Sequence, residues 1–377
     1  MIPRILSQTL LEKFNKGKAI VVLGPRQAGK TTLIQECLRD KDFLFLNGDD
    51  PEVRDLLHRA GISKLKAIIG GHQWVFIDEA QRIPDVGLVA KLITDQFTSV
   101  QLVVSGSSSL QINDATQEPL TGRKYEYQLF PVSWEEFESH VGYIEAAAQL
   151  EERMIYGMYP DVINNRSDSR EVLKQLASSF LYQDVLALTG IKKPDVLDRL
   201  LKALALQLGN EVSYNELAGL LEIDKATVAR YIDLLEKTFL IFRLNSFSTN
   251  QRNEIRNNRK IYFYDTGIRN IIINNLNPLS LRTDKGALWE NFLISERLKM
   301  QSYHQVYTNS YFWRTVQKQE IDLIEERNGA IAAFEFKWNS RGKVKLPSSF
   351  MKTYAATGTV IDKDNFREFV MPPTFAG

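Results

Sequence analysis

One nine-residue stretch, GPRQAGKTT, contains residue types that bind phosphate when they occur at this spacing. It has the form G-x-x-x-x-G-K-[ST], with Gly24 and Gly29 at the glycine positions. Glycines there let backbone N–H groups close around phosphate oxygens, while a lysine reaches the outer phosphates and a hydroxyl binds Mg²⁺. We therefore predict a nucleotide site in which Lys30 contacts phosphate and Thr31 binds the metal. The residues predicted to line it are Gly24, Pro25, Arg26, Gln27, Ala28, Gly29, Lys30, Thr31 and Thr32.

Two adjacent acidic residues after a second apolar run would complete a hydrolysis site. The run WVFID ends at Asp78, and Glu79 is the next residue. A carboxylate at the end of such a strand positions Mg²⁺, and a neighbouring carboxylate activates the attacking water. We predict these roles for Asp78 and Glu79, and their adjacency favours hydrolysis over binding alone. The alternative is that Glu79 only caps a helix.

Three groups of residues are candidates to meet the outermost phosphate. QLVVSGSSS has an apolar start and a polar end, so Ser105 and Ser107 are predicted to sense the γ-phosphate, although small residues there often only turn the chain. Arg123, just before KYEYQLF, is a candidate to stabilise γ-phosphate charge in its own subunit or in a neighbouring one. Arg26 lies within the loop itself. The alternative for both arginines is a surface ion pair.

A parallel sheet is the arrangement that would bring these residues together. AIVVL, immediately before the loop, is a continuous apolar run of the kind found in strands buried on both faces. The segments DFLFLN, WVFID, QLVVSGSSS and KYEYQLF are predicted to be the other strands. Ligands of parallel, doubly wound sheets bind beyond the carboxyl ends of the strands, where all of the polar residues above would lie.

Several motifs together resemble one family. GPRQAGKTT, FLNGDDPEVR, FIDEAQRIPD, VVSGSSSL and LTGRKYEYQLFPVSWEEF look like those of bacterial and archaeal AAA-superfamily ATPases that carry a C-terminal domain of unknown function. The resemblance covers most of the chain, and YGMYPDVIN is similar to the segment that links the domains of that family. It implies an ATPase that uses Mg²⁺ and that often needs an arginine from a neighbouring subunit, but it implies no settled biological role.

The middle of the chain is predicted to contain a winged helix-turn-helix. Apolar residues recur at helical spacing, and Ser213 and Asp224 are placed to cap two successive helices. DNA binders of this type insert the start of the second helix into the major groove, and the residues there are Lys225, Thr227 and Arg230. A basic stretch that would meet phosphates follows, against the acid Glu254; its basic residues are Arg252, Arg256, Arg259 and Lys260. The alternative is a packing module with a solvated basic loop.

The C-terminal region is predicted to have an α-β-β-β-α-β fold with a second acidic cluster. Glu335 and Lys337 are two residues apart, so they share one face of a strand, and Asp322 on the neighbouring strand reaches that face. Such carboxylates bind Mg²⁺ or Mn²⁺ and polarise a phosphodiester. The pattern resembles the PD-(D/E)xK nuclease superfamily, although Glu320-Ile321 replaces the proline often found before the first acid. Glu320 and Glu290 would add acidity, but alternating charged and apolar residues also describe any half-exposed strand.

Composition limits the classes of protein that fit. The net charge is +1, so any nucleic-acid surface must be a local patch. The single cysteine, Cys37, excludes an internal disulfide framework and suits a reducing cytosol. No apolar run approaches the roughly 18 residues of a membrane helix, and the N-terminus does not resemble a signal peptide. We expect a cytoplasmic protein that binds ATP; DNA, a protein partner and oligomerisation stay open.

The predicted fold class is α/β. It comprises a P-loop NTPase parallel sheet at residues 1–140, a helical linker at 141–192, a winged helix-turn-helix at 193–250 and a nuclease-like α/β domain at 251–377. The predicted function is a Mg²⁺-dependent ATPase that couples nucleotide state to a module for binding or cutting DNA. Two alternatives remain: an ATP-dependent switch that binds a protein through an inert C-terminal fold, and a transcriptional regulator that binds DNA without cutting it.

Overall fold

The computed structural model describes residues 1–107, 120–179, 194–248, 259–339 and 345–372. A parallel sheet of five strands forms the N-terminal part, as the apolar runs predict. Its strands are β1 (Ala19–Leu23), β2 (Phe43–Asn47), β3 (Trp74–Asp78), β4 (Gln101–Gly106) and β5 (Lys124–Gln128). They lie in the order β2-β3-β4-β1-β5, so β4 separates the strand before the loop from the strand that ends at Asp78. All neighbours are parallel, which brings the carboxyl ends of the strands to one edge.

Both faces of this sheet are covered, since β1, β3 and β4 are buried at every position. In β1, Ile20 and Val22 belong to one hydrophobic core, whereas Val21 and Leu23 belong to a second core on the opposite face. The helices that flank the sheet are α1 (Leu6–Lys13), α2 (Lys30–Cys37), α3 (Pro51–Leu57), α4 (Ile62–Ile69) and α5 (Val86–Gln96). The sheet is therefore doubly wound, as predicted.

Short helices follow the sheet, in the region predicted to be a helical linker. They are α6 (Trp134–Val141), α7 (Tyr143–Ala148), α8 (Leu150–Tyr156), α9 (Pro160–Asn164) and α10 (Ser169–Ser179). The first of them begins with a capping box, in which Ser133 and Glu136 bind each other's backbone N–H groups. Residues 180–193 lie outside the described part of the chain.

The next region has the order helix, strand, two helices and two strands. Its elements are α11 (Pro194–Leu206), β6 (Glu211–Val212), α12 (Tyr214–Leu221), α13 (Lys225–Lys237), β7 (Ile241–Ser246) and β8 (Arg259–Phe263). The predicted caps are confirmed: Ser213 accepts a hydrogen bond from Glu216 N and Asp224 accepts one from Thr227 N. The predicted basic residues Arg252 and Arg256, with Glu254, lie outside the described residues.

A second sheet crosses from this region into the C-terminal part. Its order is β12-β11-β10-β9-β7-β8-β6, and β7 pairs in parallel with β9. The remaining elements are α14 (Thr266–Ile272), α15 (Lys285–Tyr303), β9 (Asn309–Arg314), β10 (Glu320–Arg327), β11 (Ala330–Phe336), α16 (Ser348–Thr353), β12 (Thr357–Ile361) and α17 (Phe366–Val370). The predicted α-β-β-β-α-β order is present from α15 to β12. One continuous sheet nevertheless spans both sides of residue 250, where we divided the sequence.

Candidate functional site

The loop between β1 and α2 is shaped by close backbone contacts. A Cβ added at Gly24 would lie 2.0 Å from the carbonyl oxygen of Leu129, so no larger residue fits there. Gly29 immediately precedes α2 and has a φ of +95°, a conformation that favours glycine. The loop thereby leads directly into the N-terminus of α2, and the N–H groups at a helix N-terminus favour an anion.

Lys30, Thr31 and Asp78 converge at the carboxyl edge of the sheet. The ammonium of Lys30, which is 4% exposed, donates to the loop carbonyls of Gly24 and Pro25, each at 2.9 Å. Thr31 Oγ1 donates to Asp78 Oδ2 at 2.7 Å, and Ser105 Oγ donates to the other carboxylate oxygen of Asp78. Two hydroxyls and a carboxylate form an all-oxygen donor set, which fits the preference of Mg²⁺.

Glu79 is held by a residue that the sequence did not single out. Its backbone has a φ of 47° and a ψ of 41°, a left-handed conformation that few non-glycine residues adopt. The amide nitrogen of Gln81 donates both to Glu79 Oε2 and to Ser107 Oγ, and its oxygen accepts a hydrogen bond from Ser107 N at 3.2 Å. Gln81 is 8% exposed. It therefore connects the predicted base with the predicted γ-phosphate sensor.

The helix-capping alternative for Glu79 is wrong. The residue precedes a 3-10 turn, Ala80–Arg82, but its side chain makes no capping hydrogen bond. The signal for Gln81 in the sequence was a polar residue in DEAQ, two positions after the acid, where the chain has to turn. Its contacts could not be predicted from that pattern, because Ser107 directly follows another strand, β4.

Gly48 fixes the backbone that carries the two acids. Its N–H donates to Asp78 O at 2.8 Å, and a Cβ at this position would lie 2.5 Å from Glu79 O. The end of β2 therefore packs directly against the end of β3. This contact sets the position of Asp78 and Glu79 relative to the loop.

Arg123 lies at the amino end of β5, whereas the loop follows the carboxyl end of the parallel neighbour β1. It precedes β5, its carbonyl accepts a hydrogen bond from Ala19 N, and its Nε lies 2.6 Å from Asp95 Oδ1. The length of a five-residue strand, about 16 Å, separates it from the loop. Its predicted role in its own subunit is therefore wrong, and a role in a neighbouring subunit stays a prediction. Arg26 is half-buried within the loop, and its predicted contact with the γ-phosphate stays a prediction.

A cavity of about 640 Å³ adjoins the start of α2. Its walls are largely apolar and come from the N-terminal segment, from α2 and from the start of α9. Its lining includes Ile2, Pro3, Thr32, Leu33 and Pro160. Its size and apolar lining are those of a small-molecule pocket that opens beside the loop.

The acidic residues predicted in the C-terminal region also come together. β10 and β11 are antiparallel neighbours, and Asp322 Oδ2 accepts a hydrogen bond from Phe336 N at 2.7 Å. Lys337 Nζ lies 2.6 Å from Glu335 Oε1. Burial, followed by the charges of Glu290 and Glu335, raises the pKa of Asp322 from 3.8 to about 8. Among the described residues, no three histidine, cysteine or carboxylate side chains are arranged to hold a metal ion.

A buried lysine occupies this cluster. Lys260 Nζ lies 2.9 Å from Glu290 Oε1 and 2.7 Å from Glu320 Oε1, and its side chain is 0% exposed. The predicted contact between Lys260 and DNA phosphates is therefore wrong, since nothing outside the protein reaches this ammonium. The neighbouring Arg259 is half-buried and packs over the ring of Tyr214.

Family comparisons divide the chain into three matched regions. Residues 16–138 match an AAA domain, residues 147–279 match a domain of unknown function (DUF8612), and residues 285–370 match another domain of unknown function (DUF4143). The loop, the order of the strands and the first match together make the N-terminal part similar to AAA-type P-loop ATPase domains. Within the described ranges, no helix is long and apolar enough to span a membrane.

Related proteins extend over most of the chain. An uncharacterized protein of Mycobacterium tuberculosis is 28% identical over 337 residues, which cover 88% of this chain and 73% of that protein. An uncharacterized protein of Methanocaldococcus jannaschii is 23% identical, with 93% of this chain and 81% of that protein covered. Among solved structures, the Walker-type ATPase of Pyrococcus abyssi superposes with a TM-score of 0.50 at 16% identity, covering 72% of this chain and 96% of its own. That similarity shows a shared fold.

Proposed function

We propose that this protein hydrolyses ATP at the loop and uses the nucleotide state to alter its C-terminal half. The observation that carries the proposal is the convergence of two hydrogen-bonded groups at one sheet edge. In the first, Thr31 and Ser105 hold Asp78; in the second, Gln81 links Glu79 to Ser107. A domain that only bound nucleotide would need the first group but not a glutamate fixed beside it.

The proposed mechanism uses groups whose positions are already set. Lys30 exchanges its two loop carbonyls for phosphate oxygens, and Thr31 and Asp78 would hold Mg²⁺. When bound, the metal neutralises charge on the phosphates. Glu79 accepts a proton from water as the water oxygen bonds to the γ-phosphorus. The bond to the bridging β–γ oxygen breaks, which leaves ADP and inorganic phosphate.

The cavity beside α2 is the proposed site of the nucleotide base. Thr32 belongs to both the loop and the cavity wall, so a nucleotide whose phosphates occupy the loop would place its base there. Ile2, Pro3 and Pro160 offer apolar surface to a flat ring. Because Pro160 belongs to α9, the base would touch the helical region as well as the N-terminal segment.

Arg4 connects the loop to the C-terminal half through hydrogen bonds. Its guanidinium donates to the loop carbonyl of Ala28 and to Phe130 O, each at 2.6 Å, and to Tyr303 OH at 3.3 Å. Tyr303 is the last residue of α15, and its hydroxyl also accepts a hydrogen bond from Phe130 N at 3.1 Å. A change in the loop would thus reach α15 through one buried side chain.

DNA is the second proposed ligand. The order of elements from α11 to β8 supports a winged helix, and α13 begins with Lys225 exposed and Arg230 exposed one turn later. Asp224 caps this helix and Thr227 is half-buried, so two basic side chains remain to meet phosphates. The proposal is DNA binding without cleavage, with the nucleotide state as its control.

Two measurements test the proposed function. Lys30→Ala should abolish ATP binding by a folded protein, and unchanged affinity would contradict the site. Hydrolysis measured with and without double-stranded DNA tests the coupling. Stimulation that disappears in the double variant Lys225→Ala, Arg230→Ala would support DNA as the ligand, whereas a rate indifferent to DNA would oppose it.

A further inference from the structure

The acidic cluster of the C-terminal half, which consists of Glu290, Glu320, Asp322 and Glu335, encloses the ammonium group of a lysine. Lys260 projects from β8 between Glu290 of α15 and Glu320 of β10, at 2.9 Å and 2.7 Å. Its ammonium also lies 5.5 Å from the ring centre of Phe312. Two carboxylates and an aromatic face thus surround a positive charge that no solvent reaches, which is a complete environment for a buried ammonium.

Each of the other carboxylates also has a partner at one of its oxygens, and the oxygen of Glu290 that Lys260 contacts accepts a second hydrogen bond. Tyr262 OH donates to Glu290 Oε1 at 2.6 Å. The backbone N–H of Phe336 donates to Asp322 Oδ2, and Lys337 Nζ donates to Glu335 Oε1. A divalent ion of the kind that a nuclease uses needs several of these oxygens at once. The residues present therefore do not fit the metal that the nuclease resemblance implies.

We infer that Lys260 replaces the divalent metal in this nuclease-like fold, so that the cluster joins structural elements and does not cleave nucleic acid. The ammonium ties β8 to α15 and to β10, three elements that are distant in sequence. Tyr262, also on β8, reinforces the link to α15. This assignment is independent of the ATP site, because none of its residues lies in the loop or in the first sheet.

Mn²⁺ binding by variants of the full chain tests the inference. All proteins would carry Asp78→Asn, so that the P-loop does not contribute, and would be free of nucleotide. Lys260→Met keeps the length of the side chain and removes the charge, which leaves the carboxylates to attract a cation. We expect its apparent affinity for Mn²⁺, followed as loss of the free-ion EPR signal, to exceed that of the parent by about tenfold or more.

Tyr262→Phe is the matched control, since it removes a donor to the same glutamate but leaves the ammonium in place. It should bind Mn²⁺ no better than the parent. A folded Lys260→Met protein without the gain would overturn the inference. If that variant folds only when Mn²⁺ is added, the rescue supports it.

The parent protein gives a second, independent result that requires no change at Lys260. We expect Mn²⁺ to leave its Tm unchanged. A rise in Tm that Glu335→Gln abolishes would show that metal enters beside Lys260, and it would contradict the inference.

Discussion

Gln81 is the side chain on which the proposed hydrolysis depends most closely. It is almost fully buried and holds Glu79 while making two hydrogen bonds to Ser107. Glu79 itself has a left-handed backbone conformation, with a φ of 47°. Gln81 fixes the direction of the Glu79 carboxylate and links it to Ser107, the predicted γ-phosphate sensor beside the end of β4.

Replacing Gln81 with alanine should lower kcat and leave ATP binding unchanged. A positioned general base is worth about 10²–10⁴ in rate, so we expect a loss of about tenfold to a hundredfold when its support is removed. Steady-state hydrolysis and equilibrium ATP binding separate the two effects. Arg82→Ala is the control, because that side chain is 40% exposed and pairs only at the surface with Asp49. Equal losses in the two variants would argue against a positioning role.

Asp322 gives the protein a pH-dependent stability with a definite sign. Its pKa is raised from 3.8 to about 8, first by burial and then by Glu290 and Glu335. Between these values the folded state binds more protons than the unfolded state, so the free energy of unfolding falls as pH rises. Asp322→Asn removes this titration. Urea unfolding at about pH 5.5 and about pH 8.5 should show the variant gaining stability relative to wild type at the higher pH. A difference that is independent of pH would contradict this account.

Single residues differed in how far the sequence could predict them. Lys30, Thr31 and Asp78 were predictable, because a motif fixes both their types and their spacing. Arg123 was predicted wrongly, although its position just before β5 already placed it at the end of that strand away from the loop. Lys260 was counted among solvated basic residues, and only the fold reveals that it is buried between carboxylates.

Among the secondary-structure elements, the end of β2 and the end of β3 are in direct backbone contact and form one structural unit. Gly48 allows the two backbones to touch, and through Asp78 and Glu79 this contact supports both halves of the site. The apolar runs predicted all five strands of the first sheet. The contact itself was not predictable, because it joins residues about thirty positions apart.

Gly48→Ala should disturb this unit. Its Cβ would meet backbone atoms, which cannot move aside as a flexible side chain would, so we expect a loss of about 1–3 kcal/mol in the free energy of unfolding. kcat should fall as well, because the displaced atoms belong to Asp78 and Glu79. Gly71→Ala is the control, since a Cβ there meets no atom within 4 Å. If the two variants have equal stability and activity, the contact does not position the site.

The second sheet could be predicted only in part. Alternation within β10 and β11 indicated the strands, and the order of elements from α15 to β12 followed from it. The parallel pairing of β7 with β9 was missed, because it joins segments more than sixty residues apart and leaves no local pattern. That pairing makes β8, and with it Lys260, part of the C-terminal structure.

At the scale of the whole molecule, α15 connects the two sites. It carries Glu290 near its start and Tyr303 at its end, about 20 Å apart along the helix axis. Glu296 and Lys299, between them, contact Trp134 N and Val132 O. The helix is therefore packed against the AAA-type domain along much of its length, which suits a rigid connector.

Tyr303→Phe should weaken this connection without altering the ATP site. Removal of a buried hydroxyl leaves Phe130 N without its partner, for an expected cost of about 1–3 kcal/mol. ATP should change hydrogen exchange at the end of α15 in wild type but not in the variant. Tyr307→Phe is the control, because that residue is 81% exposed. An ATP response that survives Tyr303→Phe would place the coupling elsewhere.

The proposed function depends above all on hydrolysis of ATP by the loop and Glu79 together. The most direct test measures ATP hydrolysis and ATP binding in wild type and in Glu79→Gln, which keeps the size of the side chain but cannot accept the proton. We expect kcat to fall by about a hundredfold or more while ATP affinity stays within about threefold of wild type. A folded Glu79→Gln protein that hydrolyses ATP at the wild-type rate would contradict the account.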